Sequence, residues 1–283
     1  MNKITTYFFN TQHQPKEIGW FRNALYLFLL YKVFLYVVQF NALFSDNRLV
    51  YHSVKQVNII IDSSFFLNNH YSISLAIIFI SAVAILSLVG LFKKSNYITN
   101  ALLWFAIINL SNFLYPVNTG GDYLLNQLLL FNCFLLPMAS NNLTINDLKT
   151  VLHNTSLLVL KIQICLAYFI AAYYKITDSS WIEGIAVYQT FQVPEFSNSL
   201  FQSIPYSVCM ALTYFTTIYQ LSFAFLVWFR PFKIYLFSFG ILQHLFIGFG
   251  MGLVSFGLVM IICYILFLKY DVSPADFLDR RGD

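Results

Sequence analysis

Long apolar runs alternate with short polar connections along most of this chain. A helix that crosses a bilayer needs about 20 mostly apolar residues, and the runs fit that measure. The first predicted span covers Trp20–Phe44, the second Ile73–Phe92 and the third Tyr97–Tyr115. The fourth covers Tyr123–Met138, the fifth Leu157–Tyr174 and the sixth Tyr206–Phe229. From Ile234 to Leu268 the chain is apolar throughout. A single helix of that length would reach roughly 50 Å, too long for a hydrocarbon core of about 30 Å. Gly248, Gly250, Gly252 and Gly257 offer a break, so this run divides into two short spans meeting near Gly250 to Gly252. The expected fold is all-α, a polytopic transmembrane helical bundle of about eight spans, or about seven if one of the last two only re-enters.

The polar stretches complete the layout. Residues Ser45 to Ser72 carry Asp46, Arg48, His52, Lys55, Asp62 and His70 around the apolar patch Val57 to Ile61, and read as an extramembrane loop. A polar connection, Ala139 to His153, precedes the fifth span, and the loop from Lys175 to Pro205 follows it. Lys32 lies inside the first span and either faces the bundle or snorkels to the headgroups. The domain organisation is one transmembrane domain over residues 1–283, with a tail at 1–19, the bundle at 20–268 and a second tail at 269–283. Met1 to Gly19 has no apolar h-region near its start, so no cleaved signal peptide is expected and the first span directs insertion.

Orientation follows from the lysine and arginine bias. Lys3 and Lys16, Lys93 and Lys94, Lys149, Arg230 and Lys233, and Lys269, Arg280 and Arg281 all fall on one side of an eight-span chain. That side is the cytoplasm, so both termini are cytoplasmic. The opposite loops carry Asp122 and Asp178, Glu183 and Glu195.

Composition removes the soluble alternatives. The chain is 59% hydrophobic and only 10% charged, whereas a soluble domain carries about a quarter charged residues. Lipid must be its main solvent. The net charge of +4 is spread over short connections, which excludes a nucleic-acid patch. Cys133, Cys165, Cys209 and Cys263 all sit in apolar runs without a CxxC pair and read as small buried residues.

Candidate chemistry concentrates in Tyr168-Phe-Ile-Ala-Ala-Tyr-Tyr-Lys175-Ile-Thr-Asp-Ser-Ser-Trp181-Ile-Glu183-Gly184. A lysine ending a span is most often a snorkelling anchor. Lys175, however, falls on the outer face, where basic anchors are disfavoured, and is followed by Asp178 and Glu183. An amine turned into a low-dielectric pocket can serve as a general base. Trp181 suits the interfacial belt, and Gly184 permits a turn or close approach. His244 sits in mid-span, either as a neutral ring bonded between helices or as a functional group. Asp122, after Gly120-Gly121, reads as a cap of the fourth helix. His13, His52, His70 and His153 lie in loops or termini without metal-like spacing, and no metal site is expected. Asn142-Leu-Thr and Asn154-Thr-Ser fit a glycosylation pattern but fall on the cytoplasmic side.

These residues also carry a resemblance. Tyr-Phe-Ile-Ala-x-x-x-Lys, a short polar turn and Trp-x-Glu-Gly resemble the core motif of the membrane domain of vitamin K-dependent gamma-glutamyl carboxylase, shared with the bacterial HTTM (horizontally transferred transmembrane) family. The run from Gln243-His244 through Met251 and Phe256 to Met260 is similar to a late carboxylase span. Asn118-Thr-Gly-Gly-Asp122-Tyr123-Leu124 looks like the loop before the family's fourth hydrophobic segment. The resemblance covers roughly Trp20 to Leu268. It implies Lys175 as a base on a lipophilic, vitamin K-like quinol, which oxygen converts to a strong alkoxide base for carboxylation of a peptide glutamate. His244 and Glu183 would join Lys175 as catalytic residues, with Tyr123, Asp122, Trp181, Gly184 and Tyr168 lining a substrate or quinone pocket.

Two departures give a second reading. Gly121 stands where the carboxylase has a functional histidine, and the chain stops at Asp283 without the carboxylase's large extramembrane domain. Some HTTM proteins resemble the membrane subunit of toxin-peptide maturation systems, such as those for sporulation-delaying peptides. The preferred expectation is thus an accessory or maturation component in the bacterial inner membrane, acting with a partner protein that supplies substrate recognition in peptide or protein modification or export. The other is a carboxylase-like membrane enzyme. Membrane lipid is a partner in both, nucleic acid in neither.

Overall fold

The computed structural model describes residues 7–9, 12–45, 72–92, 96–114, 117–135, 143–197 and 199–269. The expected first loop with Asp46, Arg48, His52, Lys55, Asp62 and His70, the pair Lys93-Lys94, Asn142 and residues 270–283 of the C-terminal tail lie outside them. Every element among the described residues is helical. Among the described residues, five helices are long and apolar enough to cross a membrane: Pro15–Val38, Ile73–Phe92, Leu148–Thr177, Tyr206–Leu226 and Arg230–Gly250. The chain is a multi-pass, all-α membrane protein, and the many large apolar side chains left outward, such as Phe34, Ile78, Ile218 and Leu242, form its lipid-facing surface. It divides into two compact units, Met1–Leu157 and Leu158–Asp283.

In the first unit α1 (Pro15–Val38) begins earlier than the expected span, because Pro15 opens it at a position where the missing N–H costs nothing. Ile18 and Phe21 are already buried, so residues 15–19 belong to the helix rather than to a tail. The expected span also breaks at Gln39 before the short α2 (Phe40–Phe44). α1 packs on α3 (Ile73–Phe92), α3 on α4 (Tyr97–Phe113), and α4 on α5 (Gly120–Asn132). The Tyr26 ring lies against Gly90, where an added Cβ would come within 2.6 Å of it. The Tyr26 hydroxyl reaches across to donate to Asn100 Oδ1 at 2.8 Å. α4 starts with a reciprocal cap: Asn96 Oδ1 accepts from Thr99 N–H, and Thr99 Oγ1 accepts from Asn96 N–H.

The fifth span corrects the sequence reading. Instead of a polar connection followed by a helix from Leu157, one helix, α6 (Leu143–Thr177), runs 35 residues. His153 therefore lies on a helix, not in a loop, and its neighbours Thr150, Asn154 and Ser156 are buried with it. Their polarity disguised the helix, but it is matched within the first unit. Asn154 accepts from His13 N–H at 2.9 Å and donates to the carbonyls of Tyr7 and Phe8. The His153 ring contacts the His13 carbonyl through Nε2. A buried side chain engaged in this way is no glycosylation acceptor.

In the second unit the expected loop from Lys175 to Pro205 is largely helical: α7 (Ser179–Ile182), α8 (Ala186–Gln192), a 3-10 turn at Pro194–Phe196 and α9 (Ser199–Gln202). Phe191, Phe201 and Phe246 form an aromatic cluster with centroids 5.1–5.9 Å apart. This cluster supplied the apolar contacts that a polar-looking loop seemed to lack. α10 (Tyr206–Leu226) is followed by α11 (Arg230–Leu245), a π-helical turn (Phe246–Gly250), α12 (Val254–Cys263) and a 3-10 turn (Tyr264–Phe267). The last apolar run does break near Gly252, which adopts φ +77°. Lys233 closes its far end by donating to the Phe267 carbonyl at 2.7 Å. All four cysteines are buried free thiols.

Candidate functional site

The turn after α6 is built by two caps. Asp178 accepts from the N–H groups of Ser180 and Trp181 through Oδ1, starting α7. One turn later Gly184 donates to the Trp181 carbonyl and Ile185 to the Ser180 carbonyl, at 3.3 and 2.9 Å. That bond pair is a Schellman motif, and Gly184 holds its left-handed position at φ +77°. Tyr214 fastens the turn by donating to the Ile182 carbonyl at 3.0 Å. The Trp-x-Glu-Gly string is thus a single helical turn with its stop signal, and it aims Trp181. Lys175, in the last turn of α6, places its Nζ over the Trp181 ring, 4.5 Å from the centroid. The lysine is half-buried. Glu183 and Asp178 are exposed.

Gly184→Ala is expected to cost about 1–2 kcal/mol, because an L side chain is forced into the left-handed region. The new methyl would also lie 2.6 Å from Met210 Cγ. Thermal unfolding in detergent measures the loss, and an unchanged midpoint would rule out this account of the turn.

Two turns of α6 before Lys175, about 10 Å along the same helix face, Tyr168 enters a buried hydrogen-bonded chain. Its hydroxyl lies 2.6 Å from His244 Nε2 on α11 and 2.6 Å from the Tyr264 hydroxyl. Tyr264 contacts the Tyr219 hydroxyl at 3.1 Å, and Tyr219 donates to the Leu236 carbonyl at 3.0 Å. All four side chains are at most 4% exposed. The Phe223 ring stacks on Tyr168 at 4.1 Å, and Phe237 stacks on Tyr264 at 5.3 Å. Gly240 leaves bare the helix surface on which the Tyr219 and Tyr264 hydroxyls rest. His244 Nδ1 has no hydrogen-bond partner among the described residues.

The first unit holds a separate polar centre. Lys32 of α1 donates to Asp122 Oδ1 in a buried ion pair. Asp122 Oδ2 accepts from the Thr119 N–H at 2.8 Å and the Thr119 hydroxyl at 2.9 Å. Lys32 also lies over the Tyr36 ring, 5.4 Å from its centroid. Asp122 is therefore both the helix cap expected of it and the counter-ion of Lys32, which faces inward rather than snorkelling. Tyr123 beside it is exposed.

Of the predicted site residues, the second unit brings Tyr168 and His244 together, and Lys175 and Trp181 together with Gly184 beneath them. Asp122 and Tyr123 belong to the first unit. Sequence reasoning missed Tyr219, Tyr264 and the partnership of Lys32 with Asp122. Tyr219 carried a usable signal: midway along an apolar span it is too deep for the interfacial belt, and a hydroxyl there needs a partner. Among the described residues no group of three His, Cys, Asp or Glu side chains could hold a metal ion.

The chain is 28% identical over 267 residues to the sporulation-delaying protein SdpB of Bacillus subtilis (strain 168). That similarity covers 87% of this chain and 80% of that protein. No protein-family model matches the chain, and no solved structure matches it.

Proposed function

We propose that this chain is an HTTM-type component of the bacterial inner membrane that acts with a partner protein in the maturation or export of a peptide or protein. The observation that carries this reading is the similarity to the sporulation-delaying protein SdpB, which extends along nearly the whole chain rather than over one motif. Few described segments outside the helices could hold a peptide, which is consistent with recognition supplied by a partner.

A second reading, a carboxylase-like enzyme with Lys175 as base, is favoured by one observation: the half-buried amine stands over the Trp181 face. Trp181, and His244 Nδ1, which has no hydrogen-bond partner among the described residues, suit an aromatic ring that carries hydroxyls. A quinol held by Lys175, Trp181, Tyr168 and His244 would supply the oxidisable hydroxyl. Lys175 would take its proton, while Tyr168 and His244 orient it.

Deleting the gene in its host and comparing peptides in the culture medium by mass spectrometry tests both readings. Loss of a defined peptide, restored by the wild-type chain, is expected; an unchanged peptide profile overturns the maturation reading. Restoration by a Lys175→Ala chain at wild-type membrane level would eliminate the enzyme reading alone.

A further inference from the structure

At the end of the second unit remote from Lys175, four basic residues gather around one aromatic pair. Lys161 lies about 21 Å along α6 from Lys175, and its Nζ stands over the Phe267 ring, 5.9 Å from the centroid. Lys233 donates to the carbonyls of Phe267 and Lys269 at 2.7 and 3.4 Å. The Trp228 ring packs edge-on against Phe267, with centroids 5.8 Å apart. Arg230, two residues after Trp228, opens α11, and Lys269 stands two residues after Phe267. Lys161 and Lys233 are 3% and 7% exposed, whereas Arg230 and Lys269 face outward.

The ring and the carbonyls orient the two buried cations but bring no negative charge to them. The second unit's described carboxylates, Asp178, Glu183 and Glu195, all lie between the end of α6 and the start of α10, at its other end. Charge held beneath a low-dielectric surface is screened far less than charge on a side chain in water, so the buried pair adds to the field of the exposed pair. α11 also begins here without a side-chain cap, and the N–H groups of its first turn carry the same sign. Apolar surface lies directly beside the charge: Phe229, Phe232 and Leu268 are 40%, 42% and 45% exposed. Trp228, half-buried at the end of a span, marks the level of the lipid headgroups. A free anion would use the charge alone. A phospholipid uses both, its phosphate against the cations and its acyl chains along the exposed rings.

We propose that this end of the second unit is a binding site for the headgroup of an anionic phospholipid. Arg230 and Lys269 meet the phosphate, for which the planar guanidinium supplies paired donors, and Lys161 and Lys233 hold fixed positive charge beneath it. The site shares no residue with the Lys175 turn or with the tyrosine chain at His244, and it stands whether or not the peptide-maturation reading holds.

The test uses the full-length protein, purified in a neutral detergent and stripped of lipid. It is titrated with phosphatidylglycerol or with phosphatidylcholine of the same acyl chains, and binding is read by native mass spectrometry. Phosphatidylglycerol is expected to bind about tenfold more tightly, with a preference that shrinks as salt is raised. Arg230→Gln with Lys269→Gln is expected to remove most of the preference. Lys16→Gln with Lys149→Gln, which takes the same charge from the first unit, is expected to keep it. Equal binding of the two lipids overturns the proposal, and so does an equal loss in the two double variants, which would trace the preference to net charge. Inorganic phosphate binding as tightly as phosphatidylglycerol would make this a free-anion site and overturn it as a lipid site. A preference that arises only once Asp271, Asp276 and Asp279 are changed to Asn overturns it too. The wild-type comparison of the two lipids decides the matter even where a variant fails to fold.

Discussion

Asp122→Ala is expected to destabilise the protein by about 3–5 kcal/mol, the cost of leaving a buried charge without its partner. Asp122 is 5% exposed and Lys32 7%, so water cannot replace the lost carboxylate. The two residues are 90 positions apart and join α1 to α5. About 1 kcal/mol of the loss belongs to the cap, because Thr119 N–H also loses its acceptor. The contributions separate in a second variant. Lys32→Met with Asp122→Asn removes both charges while keeping a side-chain oxygen for Thr119, and is expected to recover most of the stability. Unfolding of the purified protein by SDS or heat in mild detergent reads both. If Asp122→Ala stays within about 1 kcal/mol of wild type, the ion pair is not what holds this corner.

The same pair marks what could be read from sequence. Apolar length placed α3, α4, α10 and the break near Gly252, since lipid imposes a strong constraint on length and polarity. It could not say where Lys32 points, because the answer lies on a helix far along the chain. It also failed where burial is polar. His153 and Asn154 look like loop residues, yet backbone groups of Tyr7, Phe8 and His13 bond to them inside the first unit. The Lys175 to Gly184 string was legible as a helix end followed by a turn, with Gly184 in the turn, because a cap residue, one helical turn and a glycine are local features. Tyr168 and His244 were legible one at a time. Their contact was not, and neither was the tyrosine chain that continues from it, because its members come from α6, α10, α11 and the turn after α12.

Gly257→Ala is expected to be among the most damaging single changes in the second unit. A methyl there would collide with the His244 carbonyl, and the Cα and N of Gly248 lie 3.2 and 3.3 Å away. These are backbone atoms of the end of α11 and of the turn that follows it, so no side chain can swing aside. Overpacking of this kind costs about 1–3 kcal/mol, or more where the backbone must move. The movement would be directed at His244, whose ring is held at 2.6 Å from Tyr168. A loss of stability should therefore come with a shift of the His244 signals in the histidine NMR spectrum. Gly248→Ala is the control on the facing strand of chain. There an added Cβ meets its nearest atom, Val254 Cα, at 3.5 Å, an ordinary contact, and the variant should keep both the His244 signals and most of the stability. Equal damage from the two substitutions would mean that generic loss of glycine in this irregular turn, rather than close approach of α12 to His244, governs the site.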